Sequence, residues 1–165
     1  MKQIRIGLAG FRNVGGAVYR HLLRNSDLLA ERCGARLVVT AIAVRNPRLK
    51  RAVPLPRSLL VPDVQSLAVN PDVDVVVEVM GGCGEARRLV LAALRAGKPV
   101  VTANKALLAE HGREIFHEAA LHRVPIYFEA SVGGGIPIIK ALREGLIANR
   151  FQLIYGILNG TCNYI

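Results

Sequence analysis

An α/β fold, a doubly wound parallel sheet with helices on both faces, is predicted by three observations. Short apolar strands alternate with helical stretches six times along the chain. The second strand, Arg36 to Val44, is a near-continuous apolar run, as expected where a sheet is covered on both faces. A glycine turn, Gly10 to Gly15, joins the first strand to the first helix, where such sheets open a ligand crevice. Right-handed crossovers place the helices on both faces.

The elements follow in order. Gln3 to Ala9 reads as a buried strand, with Ile4, Ile6 and Leu8 alternating with Arg5 and Gly7. From Val14 the period becomes helical through Val18, Leu22 and Leu23. The helix weakens at Asn25-Ser26 and restarts over Asp27 to Arg32, with Gly34 as its stop. After the second strand, Asn46 to Pro62 holds four of the eight prolines and a basic cluster, and reads as a surface loop. Asp63 is the candidate cap of a short helix to Ala68, and Asn70-Pro71-Asp72 marks a turn. Val73 to Met80 is the third strand. Gly84 to Ala96 is an amphipathic helix closed by Gly97, Pro99 to Thr102 a strand, and Asn104 to Leu121 a helix. Pro125 to Glu129 is a strand, Gly133 to Pro137 a turn, Ile138 to Ile147 a helix, and Phe151 to Leu158 the last strand.

Composition narrows the function. The 165 residues are 52% hydrophobic and 21% charged, enough for one domain with a real core and too apolar for disorder. Mean hydropathy is +0.32, yet no apolar run reaches the roughly 20 residues of a membrane-crossing helix. No secretory signal pattern follows Met1, so a cytoplasmic protein without a membrane partner is expected. Cys33, Cys83 and Cys162 lie far apart, with no zinc or disulfide spacing, and read as buried or inert thiols. The formal net charge of +10 raises a nucleic-acid partner. However, the arginines are scattered, aromatics are 5% and tryptophan is absent, so no stacking platform is supplied. A phosphate-bearing cofactor or an arginine-rich composition accounts for the charge.

The turn Gly10-Phe11-Arg12-Asn13-Val14-Gly15 has the first and third glycines of a dinucleotide fingerprint and Arg12 in place of the second. The first glycine allows the tight turn, the third lets helix and strand pack, and the middle one admits backbone to the pyrophosphate. Arg12 either obstructs that approach or meets the phosphates with its guanidinium. A ligand-free glycine turn is the plain alternative. An NAD site carries Asp or Glu near the end of the second strand. Here stand Val44 and Arg45, with Arg48, Lys50 and Arg51 beyond. Arginine suits the 2′-phosphate of NADP, and a solvated basic loop is the alternative.

Lys105 follows the fourth strand at the carboxyl edge, where Asn104 can cap the next helix. A lysine there can bind a cofactor or substrate and polarise a reacting oxygen, or simply be an exposed helix-start cation. Glu129 ends a strand before the kinked glycine segment. A carboxylate beside free carbonyls suits a hard cation, or it caps the turn or the next helix. Thr161 or Asn159 could equally cap a helix. The histidines His21, His111, His117 and His122 fall on helical stretches without shared metal spacing.

Four blocks carry a resemblance: Val77-Glu78-Val79-Met80-Gly81-Gly82; Val100 to Ala109, with Thr102-Ala103-Asn104-Lys105; Tyr127 to Ile139, with Glu129-Ala130-Ser131-Val132-Gly133-Gly134-Gly135-Ile136-Pro137; and Gly156 to Ile165, with Asn159-Gly160-Thr161. In this order they resemble homoserine dehydrogenase, weakly over residues 46–72 and strongly from 73 onward. The resemblance implies a Rossmann-like cofactor domain over 1–150 and the start of a substrate and dimerisation domain at 151–165, the remainder absent. It implies reversible hydride transfer between NAD(P)H and aspartate 4-semialdehyde, giving L-homoserine, in amino-acid biosynthesis from aspartate. The cofactor contacts it implies fall on Gly10, Phe11, Arg12, Asn13, Val14, Gly15, Val44, Arg45 and Lys105. It gives Lys105 a catalytic role as well, and places the principal acid–base lysine and the carboxylates that hold the substrate amine in the absent remainder. It puts Asn159, Gly160 and Thr161 beside the substrate, and sodium on Glu129, Val132, Gly134 and Ile136. A homodimer is implied for the full-length protein. The chain alone is expected to be inactive, with a non-catalytic dinucleotide-binding module as the alternative.

Overall fold

A computed structural model describes residues 1–156 of the chain. The strands are β1 (Lys2–Ala9), β2 (Ala35–Ala43), β3 (Leu60–Val61), β4 (Val75–Glu78), β5 (Val100–Thr102) and β6 (Ile126–Tyr127). The helices are α1 (Asn13–Arg24), α2 (Ser26–Cys33), α3 (Ser66–Val69), α4 (Gly84–Arg95), α5 (Lys105–His122) and α6 (Ile138–Lys140). One sheet has the order β3-β2-β1-β4-β5-β6, every pair parallel. The chain starts in the centre and winds outward both ways, which leaves a crevice beyond the carboxyl ends of β1 and β4.

Two apolar layers sandwich the sheet. On one side Ile6, Leu8, Phe11, Val39, Ile42 and Val77 pack beneath Tyr19 and Leu22 of α1. On the other, Ala9, Ala41, Val76 and Val100 meet Leu67 of α3, Leu89 and Leu94 of α4, and Leu107 and Ile115 of α5. Alternate residues of β1 and β4 therefore serve opposite layers, the reason these strands are apolar throughout. Burying one such leucine or valine stabilises by about 1.5–3 kcal/mol.

The predicted elements from the first strand through the Asn104 helix are present with shifted ends, and Gly34 closes α2 at φ +67°. Five expectations need correction. The loop 46–62 ends in β3, an edge strand that pairs Leu60 with Ile42 and Val61 with Ala43. Asp63 is not a side-chain cap: its carbonyl accepts the N–H and hydroxyl of Ser66 instead. The helix from Ile138 runs three α-helical residues and then loosens into a π turn, Ala141–Gly145. Residues 151–156 form no strand, and their apolar side chains Phe151, Leu153, Ile154 and Tyr155 are exposed. No described strand pairs with them. Cys33 is exposed rather than buried. Cys83 is half-buried, and desolvation, with Glu110 nearby, pushes its thiol pKa up, which disfavours the reactive thiolate. Among the described residues no helix is long and apolar enough to cross a membrane.

Candidate functional site

Because every strand is parallel, the segments after β1, β2, β4, β5 and β6 emerge at one edge of the sheet. Gly10 leaves β1 at φ +100°, a region that side chains avoid, while its N–H donates to the Ala43 carbonyl at 2.9 Å. A Cβ on Gly15 would overlap the Gly10 carbonyl and stand 3.2 Å from Val79 Cγ2. The first turn of α1 thus rests directly on the strand end. Arg12 is the N-cap residue of α1 and makes no side-chain cap bond, and the first turn holds no acidic residue. The Asn13 and Val14 N–H groups have no acceptor among the described residues. Unpaired donors at a helix's positive end favour an anion. Arg12, Asn13 and Val14 are exposed, whereas the Phe11 ring is buried against Tyr19 with centroids 5.4 Å apart. Only the backbone of Phe11 faces the turn.

Val44 is half-buried over the α1-side core, and Arg45 is exposed. Arg45, Asn46, Pro47, Arg48, Arg57 and Leu60 line a cleft of about 520 Å³. Arg51 does not join them: its guanidinium donates to the carbonyls of Asn46 and Leu49, both at 2.6 Å, and pins the loop. Arg57, absent from the sequence-predicted set, takes its place in the cleft. Its signal in the sequence is its place in the basic cluster that begins at Arg45.

Between β4 and β5 lies a buried polar circuit. Glu78 is 0% exposed. Its Oε2 accepts the Thr102 hydroxyl at 2.7 Å and its Oε1 the Met80 N–H at 2.9 Å. Thr102 Oγ1 accepts the Asn104 N–H at 3.0 Å. Asn104 Oδ1 accepts the Leu107 N–H at 3.1 Å, so the predicted cap is present, and Asn104 Nδ2 donates to the Gly82 carbonyl at 2.7 Å. Lys105 begins α5 with its side chain exposed at the crevice edge. Ser131 closes the far side by donating to the Thr102 carbonyl at 2.9 Å. Glu78 and Thr102 were not among the predicted site residues. The signal was available: a charged residue interrupting a buried valine strand demands partners.

Glu129 lies after β6 with both carboxylate oxygens occupied. Oε1 accepts the Ile139 N–H at 2.9 Å and Oε2 the Lys140 N–H at 2.8 Å, so it caps α6. The Ile136 carbonyl accepts the Ile138 N–H at 2.8 Å, while those of Val132 and Gly134 accept no hydrogen bond among the described residues. No cluster of three or more histidine, cysteine or acidic side chains able to hold a metal occurs among the described residues. Asn159, Gly160 and Thr161 lie outside the described residues.

Residues 10–129 match the family model of the homoserine dehydrogenase NAD-binding domain, and residues 137–165 match that of homoserine dehydrogenase. A homoserine dehydrogenase of Pseudomonas aeruginosa is 48% identical over 168 residues, covering 100% of this chain, and one of Bacillus subtilis is 43% identical over 165 residues, again covering 100%. The crystal structure of a homoserine dehydrogenase from Thiobacillus denitrificans superposes with a TM-score of 0.89 at 47% identity, covering 99% of this chain and 38% of that one. The chain likewise spans 38% of the length of the two curated relatives.

Proposed function

The chain belongs to the homoserine dehydrogenase family, and we propose that it contributes the NAD(P)-binding part of an enzyme interconverting L-homoserine and L-aspartate 4-semialdehyde. Residues 1–150 are the cofactor domain in this reading, and 151–165 open the substrate and dimerisation domain of a cytoplasmic homodimer. The observation that carries the reading is the uncapped first turn of α1. It has unpaired N–H groups, a left-handed Gly10 and a Gly15 that leaves no room for a side chain. This fits a pyrophosphate bound by the Gly10–Gly15 backbone.

The three arginines of the cleft beyond β2 support NADPH over NADH, since a 2′-phosphate offers charged acceptors to guanidinium groups. Arg45 would be the principal contact, with Val44 beside it as a second cofactor-binding residue. When bound, the nicotinamide supplies or accepts a hydride. Lys105, at the start of α5, binds the cofactor end of the crevice. As the catalytic residue of this chain, it polarises the oxygen at which charge develops. Asn159, Gly160 and Thr161 contact the small-molecule substrate.

A monovalent cation, sodium, on Glu129, Val132, Gly134 and Ile136 completes the reading. The donor set is hard oxygen. The Glu129 carboxylate accepts two N–H groups out of about four lone-pair sites. The Val132 and Gly134 carbonyls are not engaged among the described residues.

Calorimetric titration of the chain with NADPH and NADH tests the proposal. Saturable one-to-one binding, tighter for NADPH, is the expected result. Absence of saturable binding to either cofactor overturns it.

A further inference from the structure

The Glu78 carboxyl ends a buried strand, and its partners are neutral: one backbone N–H and one hydroxyl. Binding phosphate or sugar at the surface does not require a fully buried carboxyl. What it does is join two loops. The Thr102 hydroxyl has a single proton. Once that proton is donated to Glu78, the oxygen can only accept, and it accepts the N–H of Asn104. The Glu78 backbone carbonyl also accepts the Ala103 N–H at 3.3 Å. On the other side Glu78 holds the Met80 N–H, and Asn104 returns to the same loop through Gly82. The circuit therefore closes on itself across the ends of β4 and β5. The residue that follows it is Lys105, whose backbone base is fixed while its side chain is exposed.

We propose that Glu78 and Thr102 are positioning residues that lock the Asn104–Lys105 start of α5 to the Met80–Gly82 loop, and so aim Lys105 into the crevice. The proposal rests on the reading of Lys105 as a cofactor-binding residue. Neither Glu78 nor Thr102 touches the ligand in this account; both act through the backbone they hold.

NADPH titration of the 165-residue chain and its variants reads the consequence. Thr102→Val, which keeps the side-chain shape and removes the hydroxyl, is expected to weaken NADPH binding about tenfold, as is Glu78→Gln. Thr102→Ser should bind NADPH within about twofold of the parent chain. Neither Thr102→Val nor Glu78→Gln should weaken binding further in a Lys105→Ala background, because a positioning effect vanishes with the group positioned. Hydrogen exchange gives a reading without cofactor: Thr102→Val should speed exchange about tenfold at Met80–Gly82 and Asn104–Leu107 and leave α1 unchanged. If Glu78→Gln fails to fold, the Thr102 pair carries the test. Unchanged exchange in Thr102→Val, unchanged affinity, or a loss that adds fully to that of Lys105→Ala overturns the proposal. A Lys105→Ala chain that binds NADPH like its parent overturns the role of Lys105, and its positioning with it. A loss at Lys105 with none at Thr102 overturns the positioning role alone.

Discussion

Arg5 and Asp74 stand 69 positions apart and grip each other through four hydrogen bonds, one of them from the Asp74 N–H to the Arg5 carbonyl at 2.8 Å. The Arg5 N–H and Nε both donate to Asp74 Oδ2, at 2.8 and 3.1 Å, and Nη2 donates to Oδ1 at 2.8 Å. The pair ties β1 to the residue just before β4, the two strands that flank the crevice. The bidentate guanidinium, above all, and the backbone N–H hold the Asp74 carboxyl at about 2 instead of 3.8.

That depression makes stability depend on acidity. A carboxyl with a lowered folded-state value stabilises fully above its unfolded value, and the contribution is lost as pH falls through the folded one. The pair is more than a third exposed, so solvent screening reduces its worth to about 1 kcal/mol. Urea unfolding should show Asp74→Asn less stable by about that amount at pH 7. The difference should shrink from about pH 4 downward and vanish only below about pH 2.

Arg45 should discriminate between cofactors. Arg45→Ala is expected to cost NADPH binding about 1.5–3 kcal/mol and to leave NADH nearly unchanged. Arg57→Ala should act in the same sense, since it lines the same cleft. Arg51→Ala should also weaken NADPH more than NADH, though less than Arg45→Ala, because its guanidinium holds the loop that carries Asn46 and Arg48 into the cleft. Equal losses for NADPH and NADH at Arg45 would remove it from 2′-phosphate recognition.

Arg12 is expected to hinder. It occupies the position where backbone approaches a pyrophosphate, and a Cβ already crowds that approach. Arg12→Gly should therefore tighten both NADPH and NADH, as measured by calorimetry at fixed salt. Weaker binding by the glycine variant would mean that the guanidinium meets the phosphates instead.

Glu129 has two roles that one experiment separates. Removing its carboxylate deletes two capping bonds, and Glu129→Ala should destabilise the chain by about 1–2 kcal/mol in any salt. If the cation reading holds, sodium raises the melting temperature of the parent chain above that in choline at equal ionic strength, and the variant loses this increment. A sodium increment that survives in Glu129→Ala would place the cation elsewhere.

Local chemistry was legible in the amino-acid sequence. The period change at Val14, the asparagine before Lys105 and the glycines at 34 and 97 act within a few residues of themselves, so α1, α5 and the ends of α2 and α4 could be read directly. The resemblance carried by residues 73–165 named the family, because blocks at coherent spacing are more specific than any glycine turn. Other features depended on strand register. Glu78 meets Thr102 because β4 and β5 pair those two residues across 24 positions. Arg57 reaches the Arg45 cleft because a two-residue strand docks on the end of β2. Glu129 caps a helix ten residues downstream because the chain folds back through two left-handed glycines. Propensity and periodicity report what a segment does with its own neighbours. Which distant partner satisfies a buried carboxyl or shares a cleft is decided by the packing of the sheet, and only the folded chain contains it.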